Sequence, residues 1–146
     1  MKWYTLLATL GPIGYLPASG TMATLVTLPL VYNLQVSMPL TSWYIAACVI
    51  AGIIGLVAVH KTLHYRKQYD DPSEIVIDEL VGCLITFVGI AWSVESVLLG
   101  LVLFRFFDIF KVAGISYVQY LQAEWGIMLD DVVAGILSNV ILHMFF

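Results

Sequence analysis

The chain has 146 residues, 61% of them hydrophobic and 11% charged, with a formal net charge of −4. Its mean hydropathy of +0.96 lies far above the range of a water-soluble domain. A soluble enzyme and a nucleic-acid-binding module are therefore excluded, and an integral membrane protein is expected. No polar stretch exceeds about twenty residues, too few for a separate domain, so residues 1–146 are read as one membrane domain.

Met1–Leu10 is apolar but too short to span a bilayer, and is expected at the interface or against the bundle. Lys2 precedes this run without a clear small-x-small cleavage site further on, so the segment is expected to stay in the mature chain. Gly11–Gly20 is rich in glycine and proline and reads as a loop. Thr21 to about Val36 is a helix candidate that stops before Pro39, and Thr41–His60 is the clearest span. Lys61–Asp70 is the most polar segment. In the next candidate, Asp71 can cap a helix with Pro72 first and Glu74 third, which sets Asp78 and Glu79 about two turns inside a span reaching Trp92. After a tight connection at Ser93–Ser96, Val97 to about Phe110 returns, residues 112–129 are mixed, and Asp130-Asp131 opens a last apolar segment to Phe146. The expected fold is all-α, a polytopic membrane helix bundle of about five short spans plus the N-terminal interfacial segment. Cys48 and Cys83 fall inside apolar segments and read as small buried hydrophobes.

Alternating the five crossings places all six Lys and Arg residues on one side and leaves only Glu95 on the other. The positive-inside rule makes the first side cytoplasmic. Nearly everything capable of chemistry lies there.

Three groups converge at that face: Asp78 and Glu79; Arg105, Asp108 and Lys111, three residues apart on one helix face; and Asp130 with Asp131. Ionisable side chains within a membrane helix mark a functional site unless they form a structural pair. Hard divalent cations such as Mg²⁺ take oxygen ligands, commonly carboxylates with phosphate and water, while Arg offers phosphate a planar fork and Lys a point charge. Plainer readings stand beside these: an Arg105–Asp108 structural pair, and Asp130-Asp131 as acids at a helix N-terminus. Ala134, Gly135 and Ser138 share the face of Asp131 and would let a neighbouring helix approach. His60 and His64, at i and i+4, could bind a metal or lipid phosphate, or anchor a helix end among anionic headgroups. Gly20-Thr21 opens a helix whose free amides can cradle phosphate.

Taken together, the blocks Gly14–Thr21, Asp71–Gly82, Phe104–Lys111 and Gly126–Gly135 resemble the phosphatidylglycerophosphatase A family of bacterial membrane enzymes, in order and spacing, over most of the chain. The resemblance implies Mg²⁺-dependent removal of the terminal phosphate from phosphatidylglycerophosphate, in the bacterial cytoplasmic membrane. This chain departs from the family's pattern at Ser19, where proline is usual, at Met22-Ala23-Thr24, where a Gly-Ser pair is usual, and at Val112, where proline usually follows the lysine. The departures bear on loop shape and lipid preference.

The expected scheme has Asp78, Glu79, Asp108, Asp130 and Asp131 holding Mg²⁺, and Gly20, Thr21, Arg105 and Lys111 binding substrate phosphate. Asp78 or Asp131 then orients or deprotonates water, with direct carboxylate attack on phosphorus left open. The alternatives are a small proton- or cation-conducting transporter subunit and a structural partner in a larger membrane complex.

Overall fold

The computed structural model describes residues 2–38, 40–67, 72–110 and 123–146. Among them are six α-helices and no strand: α1 (Trp3–Ala8), α2 (Ser19–Ser37), α3 (Thr41–Arg66), α4 (Ile77–Thr86), α5 (Val94–Phe110) and α6 (Ala123–Leu142), with a 3₁₀ turn at Ile13–Tyr15. The fold is all-α, as the apolar segments predict.

Successive helices α2 to α6 run in alternation between two ends of the bundle. At one end Ser19 Oγ donates to the Ser73 carbonyl, Arg66 donates to the Tyr15 hydroxyl and His60 meets Glu124. At the other, Tyr32 packs edge-on to Trp92 and the His143 ring reaches the Val88 carbonyl. α4 sits centrally, packed against α2, α3, α5 and α6. Its Cys83, Leu84 and the following Phe87 form a dry core with Val31, Tyr44, Phe104 and Leu142. Outward side chains such as Trp43, Ile50 and Ile53 on α3, and Leu98 and Val102 on α5, remain exposed. An uncovered apolar surface of that extent suits lipid rather than water. α3 and α6 are long and apolar enough to cross a membrane.

Two helix boundaries differ from the sequence-based expectation, and the difference moves the acids. α4 begins at Ile77, not at Pro72. The backbone ahead of it is taken up elsewhere: the Ile75 amide donates to the Pro72 carbonyl, the Val76 amide to Ala8 at the end of α1, and the Ser73 carbonyl accepts from Ser19. Asp78 and Glu79 consequently lie in the first turn, at the positive end of the helix dipole. The opposite correction applies to α6, which starts at Ala123, so Asp130 and Asp131 stand about two turns inside it rather than at its opening. Of the expected cap, Asp71 lies outside the described residues, and Glu74 approaches Arg66 at 4.0 Å.

α4 is also shorter than the expected span to Trp92, because it ends at Thr86 and turns through Gly89 at φ +71°. Ten residues cover about 15 Å, half of a bilayer's hydrocarbon thickness. Inside a bundle the released carbonyls need protein partners, since lipid offers none. Tyr44 Oη donates to Leu84 at 3.0 Å, Asn139 Nδ2 to Thr86 at 3.0 Å and Val88 at 2.8 Å, and Gln35 Nε2 to Ile90 at 2.9 Å. Asn139→Leu strips the Thr86 carbonyl of its donor, leaves Val88 with the His143 ring alone, and should cost about 1–3 kcal/mol, read as a lower thermal midpoint in detergent. An unchanged midpoint would show that these carbonyls find other partners.

α5 starts with a reciprocal cap that fixes the turn before it. The Ser96 amide donates to Ser93 Oγ at 3.1 Å, and the Ser93 amide to Ser96 Oγ at 3.0 Å.

Candidate active site

A cavity of about 290 Å³ opens where the first turns of α2 and α4 meet the later turns of α5 and the second and third turns of α6. Asp78, Glu79, Asp108, Asp130, Asp131, Arg105, Gly20 and Thr21 all line it, together with Ala18, Ser19, Ser73 and Ile75. Every site residue expected from the sequence is therefore gathered there except Lys111, which lies outside the described residues. A larger cavity of about 450 Å³ at the other end, around Tyr32, Gln35, Tyr44 and Trp92, has no charged side chain among its described lining.

Glycines bring the acids together. On α4, Gly82 stands one turn beyond Asp78; on α6, Gly135 stands one turn beyond Asp131. A Cβ on Gly135 would lie 2.5 Å from the Gly82 carbonyl oxygen, and one on Gly82 would lie 2.7 Å from the Asp131 carbonyl oxygen. The two backbones thus touch where only hydrogen fits, and the carboxylates one turn below are carried into contact range. The small face of Ala134, Gly135 and Ser138 does admit a neighbouring helix, and that helix is α4.

Asp78, Asp130 and Asp131 form the centre. One donor oxygen from each lies within 4.8 Å of the others, and all three residues are buried, with Asp131 only 2% exposed. Asp130 Oδ1 also accepts from the Asp131 amide at 2.9 Å. Glu79 Oε2 and Asp131 Oδ2 are buried without a hydrogen-bond partner among the described residues. Buried like charges at this spacing repel one another and have lost their water, so the arrangement calls for a cation or protons. Its donors are all hard carboxylate oxygens, one from α4 and two from α6, which fits a divalent cation such as Mg²⁺.

Arg105 faces this centre and pairs with Asp108 along α5. Arg105 lines the cavity, and its Nε is buried without a partner among the described residues. At Gly20 an added Cβ would collide with Glu79 Oε1 and stand 3.0 Å from a terminal nitrogen of Arg105. The start of α2 thus lies directly against the acid and the base, with Ala18 at φ +53° immediately before it.

Ser73 and Gly82 belong to the site without being among the residues expected from the sequence. The usable signal was a repeated spacing, Asp-x-x-x-Gly, present once in each of the two helices that touch.

A profile for the family described as phosphatidylglycerophosphatase A matches residues 6–146. A Bacteroides thetaiotaomicron protein, provisionally named a phosphatidylinositol-3-phosphatase, is 31% identical over 139 residues, covering 88% of this chain and 84% of its own. Phosphatidylglycerophosphatase A of Escherichia coli is 35% identical over 130 residues, with 85% and 72% covered. The Haemophilus influenzae protein of the same name is 37% identical over 92 residues, with 62% and 56% covered. No solved structure matches. With its acids, arginine and glycines gathered in one cavity and its sequence matched almost from end to end, the chain belongs to the phosphatidylglycerophosphatase A family and is a lipid phosphatase.

Proposed function

We propose that this cavity hydrolyses the terminal phosphate monoester of phosphatidylglycerophosphate to phosphatidylglycerol and inorganic phosphate, with Mg²⁺ bound, at the cytoplasmic face of a bacterial inner membrane. The observation that carries the reading is the convergence of three buried aspartates, Asp78, Asp130 and Asp131, with Arg105 in one cavity. Asp78, Asp130 and Asp131 would hold the cation, with Glu79 and Asp108 within the same lining. A bound Mg²⁺ supplies charge neutralisation at phosphate and a more acidic water.

The chain's own groups do the rest. Arg105 offers donors to the phosphate oxygens as negative charge redistributes, and Asp108 holds its guanidinium in place. Ser19, Gly20 and Thr21 bring the amino end of α2 to the same cavity, where unpaired amides and the helix dipole favour an anion. Asp78 or Asp131 orients the attacking water and accepts its proton as the new P–O bond forms and the ester P–O bond breaks, and the departing glycerol oxygen takes up a proton from solvent. The apolar core around Leu84, Phe87 and Phe104 separates the cavity from the other end, which favours a phosphatase over a conducting path. Orientation rests on charge: Lys2, Lys61, Arg66, Lys67 and Arg105 lie toward the cavity end, whereas Glu95 opens α5 at the other. The alternation of α2 to α6 between the two ends supports a multi-pass reading.

The relatives' names divide between two phospholipids, so the test is a comparison. Detergent-solubilised protein is given phosphatidylglycerophosphate, phosphatidic acid and phosphatidylinositol 3-phosphate at equal surface fraction with Mg²⁺. The highest kcat/KM is expected for the first lipid. A preference for the inositol lipid would move the assignment to that substrate, and no release from any of them would remove it.

A further inference from the structure

We propose that His60, His64 and Glu124 form a second metal site, for a borderline transition-metal cation such as Zn²⁺, separate from the carboxylate cavity. His60 and His64 stand one turn apart on α3, with ring centroids 4.4 Å apart and ring planes inclined by 35°. Glu124, in the first turn of α6, comes to them from another helix: its Oε1 lies 2.9 Å from His60 Nδ1. Two imidazoles at i and i+4 with a facing carboxylate supply three protein ligands and leave a fourth position for water, a common tetrahedral zinc arrangement.

Three physical features favour a cation of this class. Imidazole nitrogen suits Zn²⁺, Ni²⁺ and Cu²⁺ and serves Mg²⁺ poorly, so the two sites would sort ions by donor type. The histidines occupy the last two turns of α3, where the helix dipole is negative. The neighbouring cations are engaged on other faces: Lys61 lies over the Trp3 ring at 4.9 Å, and Arg66 is held by Tyr15 and Glu74. The donors are less tightly gathered than those of Asp78, Asp130 and Asp131: His60 already meets Glu124, and the exposed His64 ring would have to turn toward that pair to complete the site. Glu124 precedes Asp130 by six residues, about 9 Å along the helix axis. An ion here would therefore tie the end of α3 to the helix that carries two catalytic-centre acids.

The test is calorimetric titration of the detergent-solubilised full chain with Zn²⁺ in excess Mg²⁺, which occupies the carboxylate cavity. One saturable equivalent is expected, weakened at least about tenfold in His64→Ala and in Glu124→Gln and unchanged in Asp130→Asn. Zn²⁺ should also raise the thermal midpoint of the parent and not of His64→Ala. Both altered side chains lie at helix ends near the surface, so the variants retain the fold. No saturable event, or equal affinity in all four proteins, would overturn the proposal and leave His60 and Glu124 as a plain pair joining two helices.

Discussion

Asp131→Asn is expected to abolish phosphate release while leaving the protein, in chelator, at least as stable as the parent. Asp131 is 2% exposed and feels the negative charges of Asp108, Glu79 and Asp130. Without a cation such a cluster opposes folding, because each carboxylate has given up water and gained a like charge. The amide keeps the shape and removes one charge, so the thermal midpoint should hold or rise. Catalysis should fall by at least about 10²–10³-fold, the usual cost of removing one preorganised polar group. Stability lost together with activity would instead identify Asp131 as a structural residue. Functional sites commonly trade stability in this way, and the opposite signs of the two readouts make the test specific.

Gly135→Ala should be damaging for a different reason. The new methyl would meet the Gly82 carbonyl oxygen at 2.5 Å, with more of the Gly82 backbone at 3.2 Å. Backbone cannot swing aside as a side chain can, so α6 must move away from α4. Overpacking of this kind costs about 1–3 kcal/mol. The same displacement draws Asp131 away from Asp78, so activity should fall by more than the loss of folded protein accounts for. Near-parental activity would show that the acids tolerate a wider helix separation. Ile53→Ala is the control, since that outward side chain is 60% exposed.

Composition alone made the helical, membrane character legible, because few charges and long apolar runs leave no alternative at this length. The site residues were legible for a second reason: charged groups inside apolar helices need partners, and only a few were available to partner one another. Helix boundaries were less accessible. Asp71-Pro72-Ser73-Glu74 has every local feature of a helix start, yet Ala8 and Ser19, more than fifty residues away, take up the backbone groups that follow. Likewise nothing local to Gly126–Leu129 announces that α6 is already under way before Asp130. The short α4 was hidden for the same reason, since Asn139 satisfies its last carbonyl and Gln35 a carbonyl of the turn that follows, both from distant helices. Tertiary hydrogen bonds of this kind leave no periodic trace. By contrast, the repeated Asp-x-x-x-Gly spacing does state in sequence which two helices touch and at which turn.

If the gathered carboxylates run the chemistry with a divalent cation, turnover must depend on both the metal and Asp78. Phosphate release from phosphatidylglycerophosphate is followed for the detergent-solubilised parent and for Asp78→Asn, each with Mg²⁺ and with a chelator. Release is predicted only for the parent with Mg²⁺, with both proteins folded. Release by the parent in chelator, or by Asp78→Asn at a rate near the parent's, would show that hydrolysis does not run through these carboxylates and a divalent cation.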